Sequence, residues 1–99
     1  MASIQLAYEA FYNGYATPTL LYYVEFADKA RAELDIIRDM TVPENRRKLR
    51  TMAETMVRAY MNEGGDDDLD GAIIHSYSAD TPETHAPLLE MVERLVTPP

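Results

Sequence analysis

The sequence predicts an all-α protein, built as a small bundle of three to four amphipathic helices. Apolar residues recur at three- and four-residue spacing along most of the chain, and helix-start signals precede the two longest apolar stripes. The length of 99 residues, with 46% hydrophobic and 26% charged residues, is typical of one globular domain over residues 1–99. The alternative is an α+β fold with a short strand near residues 3–12 or 72–77, because the pattern of each segment also allows a strand.

The first segment, residues 3–13, fits both patterns. Ile4, Ala7, Tyr8 and Phe11 lie at helical spacing, whereas the apolar and aromatic side chains at positions 4, 6, 8, 10 and 12 alternate as in a strand. We favour the helix. It is expected to end where Asn-Gly at positions 13 and 14 indicates a turn.

Thr17-Pro18 marks the start of the longest predicted helix, which covers the next 22 residues. Threonine is a favoured N-cap residue, and proline is favoured at the first helical position. The apolar stripe of this helix consists of Leu20, Tyr23, Ala27, Ala30, Leu34 and Ile37. The charge pairs expected on its outer face are Glu25–Lys29, Lys29–Glu33, Arg31–Asp35 and Asp35–Arg38.

Two further helices are predicted after it. Thr41-Val-Pro-Glu44 fits a capping box, and the helix behind it is expected to run to about residue 63, where two glycines stop it. Pro87 is expected to prevent an unbroken final helix, which therefore begins near residues 84–86. Residues 64–71 are predicted to form an acidic Gly/Asp loop, and residues 97–99 a frayed C-terminus.

The acidic loop raises the question of a calcium site. From Asp66 the sequence runs D-x-D-x-D-G, which places Asp68 and Asp70 at the third and fifth positions. This resembles the first half of an EF-hand loop, in which those carboxylates bind the ion. The second half departs from the pattern, because Tyr77 stands where the loop needs a bidentate glutamate. We expect a solvated acidic loop, with Asp67 as a fourth carboxylate, and no cofactor; Ca²⁺ binding by Asp66, Asp68 and Asp70 is the alternative.

The charge balance indicates which partners to expect. The formal net charge is −8, from 17 Asp and Glu against 9 Lys and Arg. Such a surface repels phosphate backbones, so no direct nucleic-acid binding is expected, and it favours a larger protein with a basic surface. No window approaches the roughly 20 apolar residues of a membrane span, and the N-terminal segment lacks the features of a signal peptide. We therefore expect a cytoplasmic protein with no membrane partner.

Residues that could support catalysis form no known motif. Cysteine is absent, which excludes disulfides, thiol catalysis and cysteine-based zinc sites, and no G-x-S-x-G, phosphate loop or H-E-x-x-H occurs. We predict that the protein is not an enzyme. The one basic cluster, Arg46, Arg47, Lys48 and Arg50, is interpreted as a solvated outer face, with docking of a phosphate or an acidic partner as the alternative. His75 is expected to be an ordinary, partly buried histidine.

The tyrosines indicate an interface. Five of the seven lie between positions 8 and 23, and a chain of this size cannot bury all of these rings. Tyrosine combines a large apolar face with a polar tip, which suits protein interfaces. Part of this group is therefore expected to form an exposed aromatic patch.

Charge, tyrosines and the absence of catalytic motifs together predict a small acidic protein–protein interaction module. Its expected form is an inhibitor or modulator that mimics nucleic acid and binds a basic or nucleic-acid-binding protein, by analogy with small phage anti-defence proteins and some antitoxins. The expected partner-binding residues are Tyr12, Tyr15, Tyr22, Tyr23, Glu25, Asp28, Asp35, Asp39, Asp66, Asp67, Asp68 and Asp70. A calcium-binding helix-loop-helix module and a self-assembling homodimer are the alternatives.

Overall fold

Five α-helices form the described part of the chain, which comprises residues 4–59 and 67–99 of this computed structural model. In chain order they are α1 (Ile4–Tyr12), α2 (Pro18–Ile37), α3 (Pro43–Ala59), α4 (Asp67–Ser78) and α5 (Pro82–Val96). No strand occurs within these two ranges. The all-α prediction is confirmed, whereas three to four helices is an underestimate. The strand alternative is wrong, because residues 4–12 and 67–78 are both helical.

The start of α2 follows the sequence signal. The Thr17 hydroxyl oxygen accepts a hydrogen bond from the backbone N–H of Leu20 at 3.3 Å, and Pro18 occupies the first turn. The inner face of the helix follows the predicted stripe, since Ala27, Ala30 and Leu34 are buried. Both the cap and the stripe of α2 are therefore confirmed.

The start of α3 differs from the prediction. The Thr41 hydroxyl does not cap the helix but donates a hydrogen bond of 2.6 Å to the Asp39 carboxylate, which also accepts from the Thr41 N–H at 3.0 Å. The side chain of Asn45 donates to the Asp39 carbonyl at 3.0 Å, and α3 begins at Pro43. Asp39 thus organises the turn between α2 and α3, and the two hydrogen bonds from Thr41 lower the pKa of its carboxyl.

The start of α5 also differs, because a local cap outweighs the internal proline. Thr81 and Thr84 form a reciprocal capping box at 3.2 and 3.3 Å, with Pro82 in the first turn. The helix then continues through Pro87, so the predicted start near residues 84–86 is wrong. Pro87 and Glu83 are both exposed, and the Glu83 carbonyl that loses its N–H partner can bond to water.

The helix missing from the prediction, α4, comes from the expected acidic loop. The helix begins at Asp67, so the loop prediction is wrong for residues 67–71. Residues 64–66 and the predicted end of the third helix near residue 63 lie outside the described residues. Leu69 is fully buried and fixes the first turn of α4 to the core. Acidic residues in a first turn also suit the positive end of the helix dipole.

The core lies around α5, which packs against each of the other four helices. Its inner face consists of Leu88, Val92 and Val96, all fully buried. α1 and α2 pack together as one hairpin, and α4 and α5 as a second. None of the helices in the described ranges combines the length and the apolar character needed to cross a bilayer.

The C-terminal end of α5 is held by side chains from the N-terminal hairpin. The amide of Gln5 donates to the carbonyls of Leu95 at 2.6 Å and Thr97 at 3.0 Å. Tyr8 and Arg31 both donate to the carbonyl of Val96. These bonds satisfy carbonyls that a helix end leaves without intrahelical partners. Residues 97–99 follow the helix without regular structure.

Candidate interaction surface

Exposed apolar side chains concentrate where α1 ends and α2 begins. We call this surface the aromatic end and define it as Phe11, Tyr12, Tyr15, Leu21 and Tyr22. Their exposed fractions are 44%, 61%, 79%, 38% and 61%. Single exposed apolar residues are normal, but several on neighbouring segments are typical of a binding surface.

Three of the four rings of the aromatic end contact a neighbouring ring. The Tyr12 ring stacks on Tyr8, with ring centroids 6.3 Å apart, and meets Phe11 edge-to-face at 5.3 Å. On the other helix, Tyr22 meets Tyr23 edge-to-face at 6.4 Å. Rings held in this way lose little conformational freedom when a partner covers them.

The connection between the two helices holds Tyr15 in place. Gly14 adopts φ +79°, a left-handed conformation that costs glycine little. The Tyr15 N–H donates to the carbonyl of Ala10 at 2.8 Å, and the Asn13 side chain donates to the carbonyl of Glu9 at 2.8 Å. The most exposed ring of the aromatic end therefore stands on an ordered turn.

The structure separates the predicted tyrosines into two groups. Tyr12, Tyr15 and Tyr22 are exposed, whereas Tyr23 is half-buried and packs against the core. Phe11 is exposed as well, although sequence reasoning placed it in the helical stripe of α1 and not among the expected partner-binding residues. The stripe is covered only as far as Tyr8, because the short α1 ends one turn later.

The predicted carboxylates of α2 are mostly engaged within the molecule. Asp28 forms an ion pair with Arg31, and Asp35 forms one with Arg38 at 2.7 Å. Of the four expected pairs only Asp35–Arg38 forms within the described residues. Arg31 turns toward α5 to donate to Tyr8 and Val96, which brings it to Asp28 instead of Asp35.

Three of the four carboxylates of the expected acidic loop, for which calcium binding was the alternative, lie on a helix. Asp68 and Asp70 are exposed in the first turns of α4, Asp67 is its first residue, and Asp66 lies outside the described residues. An EF-hand loop must wrap around one ion, whereas a helix carries successive residues away from one another along its axis. Among the described residues, no group of three or more His, Cys, Asp or Glu is placed to hold a metal ion.

The basic cluster is divided between the interior and the surface. Arg46 is only 7% exposed, and its Nε donates to Asp80 Oδ1 at 2.7 Å while Nη1 donates to the carbonyl of Met40 at 2.8 Å. Arg50 donates to the same Asp80 oxygen at 3.1 Å. A solvated outer face is therefore the wrong interpretation for Arg46 and Arg50, although Arg47 and Lys48 are exposed.

His85 completes this polar cluster. Arg50 Nη1 lies 2.7 Å from His85 Nε2, and a guanidinium can only donate, so Nε2 accepts and the proton sits on Nδ1. Nδ1 then donates to the carbonyl of Thr81 at 2.7 Å. His75, which was expected to be partly buried, is exposed, whereas the buried histidine is His85, to which sequence reasoning assigned no role.

The polar groups of the cluster are all engaged with one another. The hydrogen bond from Arg46 lowers the pKa of Asp80 to about 2, with Arg50 acting in the same direction. No buried side-chain nitrogen or oxygen of the described residues lacks a hydrogen-bond partner. The arrangement ties α3 to the α4–α5 connection, and its chemistry is that of a structural ion-pair network.

A groove of about 370 Å³ lies between α2 and α3. Its apolar lining includes Ala30 and Met52, which are buried, and Phe26, which is half-buried. Its exposed lining includes Lys29 and Lys48. This groove is separate from the aromatic end, since the two share no residue.

Comparison with known proteins adds no functional information to this geometry. No protein-family model, no curated protein and no solved structure matches the chain.

Proposed function

We propose that this protein is an acidic protein–protein interaction module that docks its aromatic end on a larger protein with a basic surface. The observation that carries the proposal is the exposure of Phe11, Tyr12, Tyr15 and Tyr22 on one ordered end of the α1–α2 hairpin. Aromatic side chains in the centre of an interface supply much of its binding energy. The partner would cover these rings.

Charge selects the class of partner. Exposed carboxylates border the aromatic end on both helices, with Glu9 on α1 and Glu25 one turn after Tyr22 on α2. The first arginine of the chain, Arg31, is occupied by Asp28 and by the end of α5. A basic surface would be steered toward this end, and the net charge of −8 strengthens that steering at low salt.

The engaged carboxylates have a smaller role in this proposal. Asp28, Asp35 and Asp39 already accept hydrogen bonds within the protein, so a partner would have to compete for them. They contribute to the long-range field, while Glu25 is available for a direct contact. Inhibition of a nucleic-acid-binding protein is the form of this function that the charge favours.

The test is capture of a partner by two matched variants. We expect the wild-type protein to recover a basic partner from nuclease-treated lysate at low salt, and the variant Tyr15→Ser/Tyr22→Ser to lose it. Ile74→Ser is the control, because Ile74 is an equally exposed apolar residue on α4. Recovery of the same partner by the tyrosine variant, or no loss of binding at high salt, contradicts the proposal.

Self-association through the aromatic end is the second candidate, and the exposed apolar area favours it. Two copies would each bring a charge of −8, which opposes close approach at low salt. Sedimentation at low and high salt distinguishes the two functions. Self-association is supported if the protein forms a homodimer that becomes tighter at high salt and if Tyr15→Ser/Tyr22→Ser abolishes this dimer. The partner at the aromatic end would then be a second copy of the chain.

A further inference from the structure

We infer that the groove between α2 and α3 binds a small organic carboxylate with an apolar body. The groove volume of about 370 Å³ is within the range of small-ligand sites. Phe26, Ala30 and Met52 provide the apolar contact for such a body. The inference is independent of the proposed function, because it concerns residues outside the aromatic end.

Two lysines determine the charge of the ligand. Most cations of the described chain are already paired with carboxylates: Arg31, Arg38, Arg46, Arg47 and Arg50. Lys29 and Lys48 form no ion pair within the described residues, although the sequence predicts pairs of Lys29 with Glu25 and Glu33. Both lysines line the groove, one from each helix. Two ammonium groups beside an apolar surface match a ligand that joins an anionic head to an apolar body.

Three cations line the groove, the two lysines and Arg47, against one lining carboxylate, Glu33. Glu44 lies beside the groove as the ion-pair partner of Arg47, and the charge of Lys48 also lowers the pKa of Glu44. The hydroxyls of Thr51 and Thr55 donate to carbonyls of their own helix, at 3.1 and 2.9 Å. The lysine ammonium groups are therefore the donors that remain for the carboxylate head.

The test uses octanoate as the probe and octylammonium as its charge-reversed twin. Titration into the isotope-labelled protein should give saturable amide shifts for residues 26–33 and 47–55 with octanoate and none with octylammonium. Because Glu33 also faces the groove, the twin decides which charge dominates. Absence of saturable shifts with octanoate, or equal binding of octylammonium, overturns the inference.

Variants locate the head and the body separately. Lys48→Gln should weaken octanoate binding about tenfold, as expected for loss of one charge-assisted contact. Arg94→Gln, which removes the same charge from α5 outside the groove, should leave the affinity within about twofold. If both variants weaken octanoate binding equally, only the net charge of the protein matters, and the proposed site in the groove is refuted.

A third variant fills the groove without changing charge. Thr51→Phe places a ring beside Phe26 and Met52 and should abolish octanoate binding while both lysines remain. Unchanged binding to a folded Thr51→Phe protein would place the ligand elsewhere. Tyr15→Ser/Tyr22→Ser should bind octanoate as the wild type does. Failure of the groove inference can therefore be distinguished from failure of the proposed function.

Discussion

Acidification below pH 6.5 should destabilise this protein through one histidine, His85. Its side chain is fully buried, Nε2 accepts from Arg50, and Nδ1 donates to the Thr81 carbonyl. A second proton would have to sit on Nε2, against a guanidinium that already donates to that atom. Burial lowers the pKa of His85, and Arg50 and Arg46 lower it further, against the opposing effects of the Thr81 carbonyl and Asp80.

The direction and size of the effect follow from proton linkage. In the unfolded chain the histidine regains its ordinary pKa of 6.5, so the unfolded state binds a proton that the folded state rejects. The stabilisation is complete above pH 6.5 and is lost as the pH falls from there toward the lowered pKa of the folded state. One proton gives a slope of at most about 1.4 kcal/mol per pH unit, hence at most about 2 kcal/mol between pH 6.5 and 5.

Urea unfolding at half-unit steps from pH 8 to pH 5 measures this loss. The free energy of unfolding of His85→Gln should not change with pH in that window. The amide oxygen of glutamine can accept a hydrogen bond from Arg50, and the amide does not titrate. His75→Gln is the matched control and should keep the wild-type slope, because His75 is exposed. Asp80 does not contribute to the pH dependence in this window. Its pKa is about 2 in the folded protein and 3.8 ordinarily, so the stabilisation that it provides is lost only below pH 3.8. A wild-type slope in His85→Gln would refute the reasoning.

Three further substitutions test the packing, each by urea unfolding at pH 7.5. Leu88→Ala should lower the free energy of unfolding by about 3 kcal/mol, because it removes a fully buried side chain from the central helix; a loss under about 1 kcal/mol would contradict that placement. Tyr8→Phe should cost about 1–2 kcal/mol through the lost hydroxyl bonds with Arg31 and Val96, and an unchanged stability would show that the hydroxyl contributes nothing. Thr81→Ala should cost about 1 kcal/mol through loss of the α5 cap, whereas a neutral effect would argue against the capping box.

The parts of the fold that sequence reasoning predicted depend on short-range patterns. The helical spacing of α2, its Thr17 cap and its apolar stripe involve residues at most four positions apart, and all three are confirmed. Local patterns failed where two local signals competed. The Thr41 hydroxyl donates to Asp39 and therefore does not form the predicted capping box. The capping box of Thr81 and Thr84 begins α5 before Pro87, which lies inside the helix.

The parts that the sequence did not reveal depend on residues far apart in the chain. Arg46 and Arg50 lie one turn apart, as on a solvated helix face, but they share the partner Asp80, which follows at least 30 positions later. The partner of the buried His85 is equally remote. For the candidate site, tyrosine content predicted an exposed patch, but which rings are covered depends on how far α1 extends past its neighbours. Phe11 is the exposed ring that was not among the expected partner-binding residues.

The bonds from Gln5, Tyr8 and Arg31 to the end of α5 affect the order in which the chain can fold during synthesis. A ribosome that has released α1–α4 has not yet released the helix that all four pack against. The Gln5 and Tyr8 contacts join positions 88 to 92 residues apart, so α1 waits for its last partners until the end of α5 emerges. Such long-range closure makes folding slower than in a bundle of local helical hairpins. Until then the apolar faces that α1–α4 pack against α5 remain exposed, and chaperones can bind them.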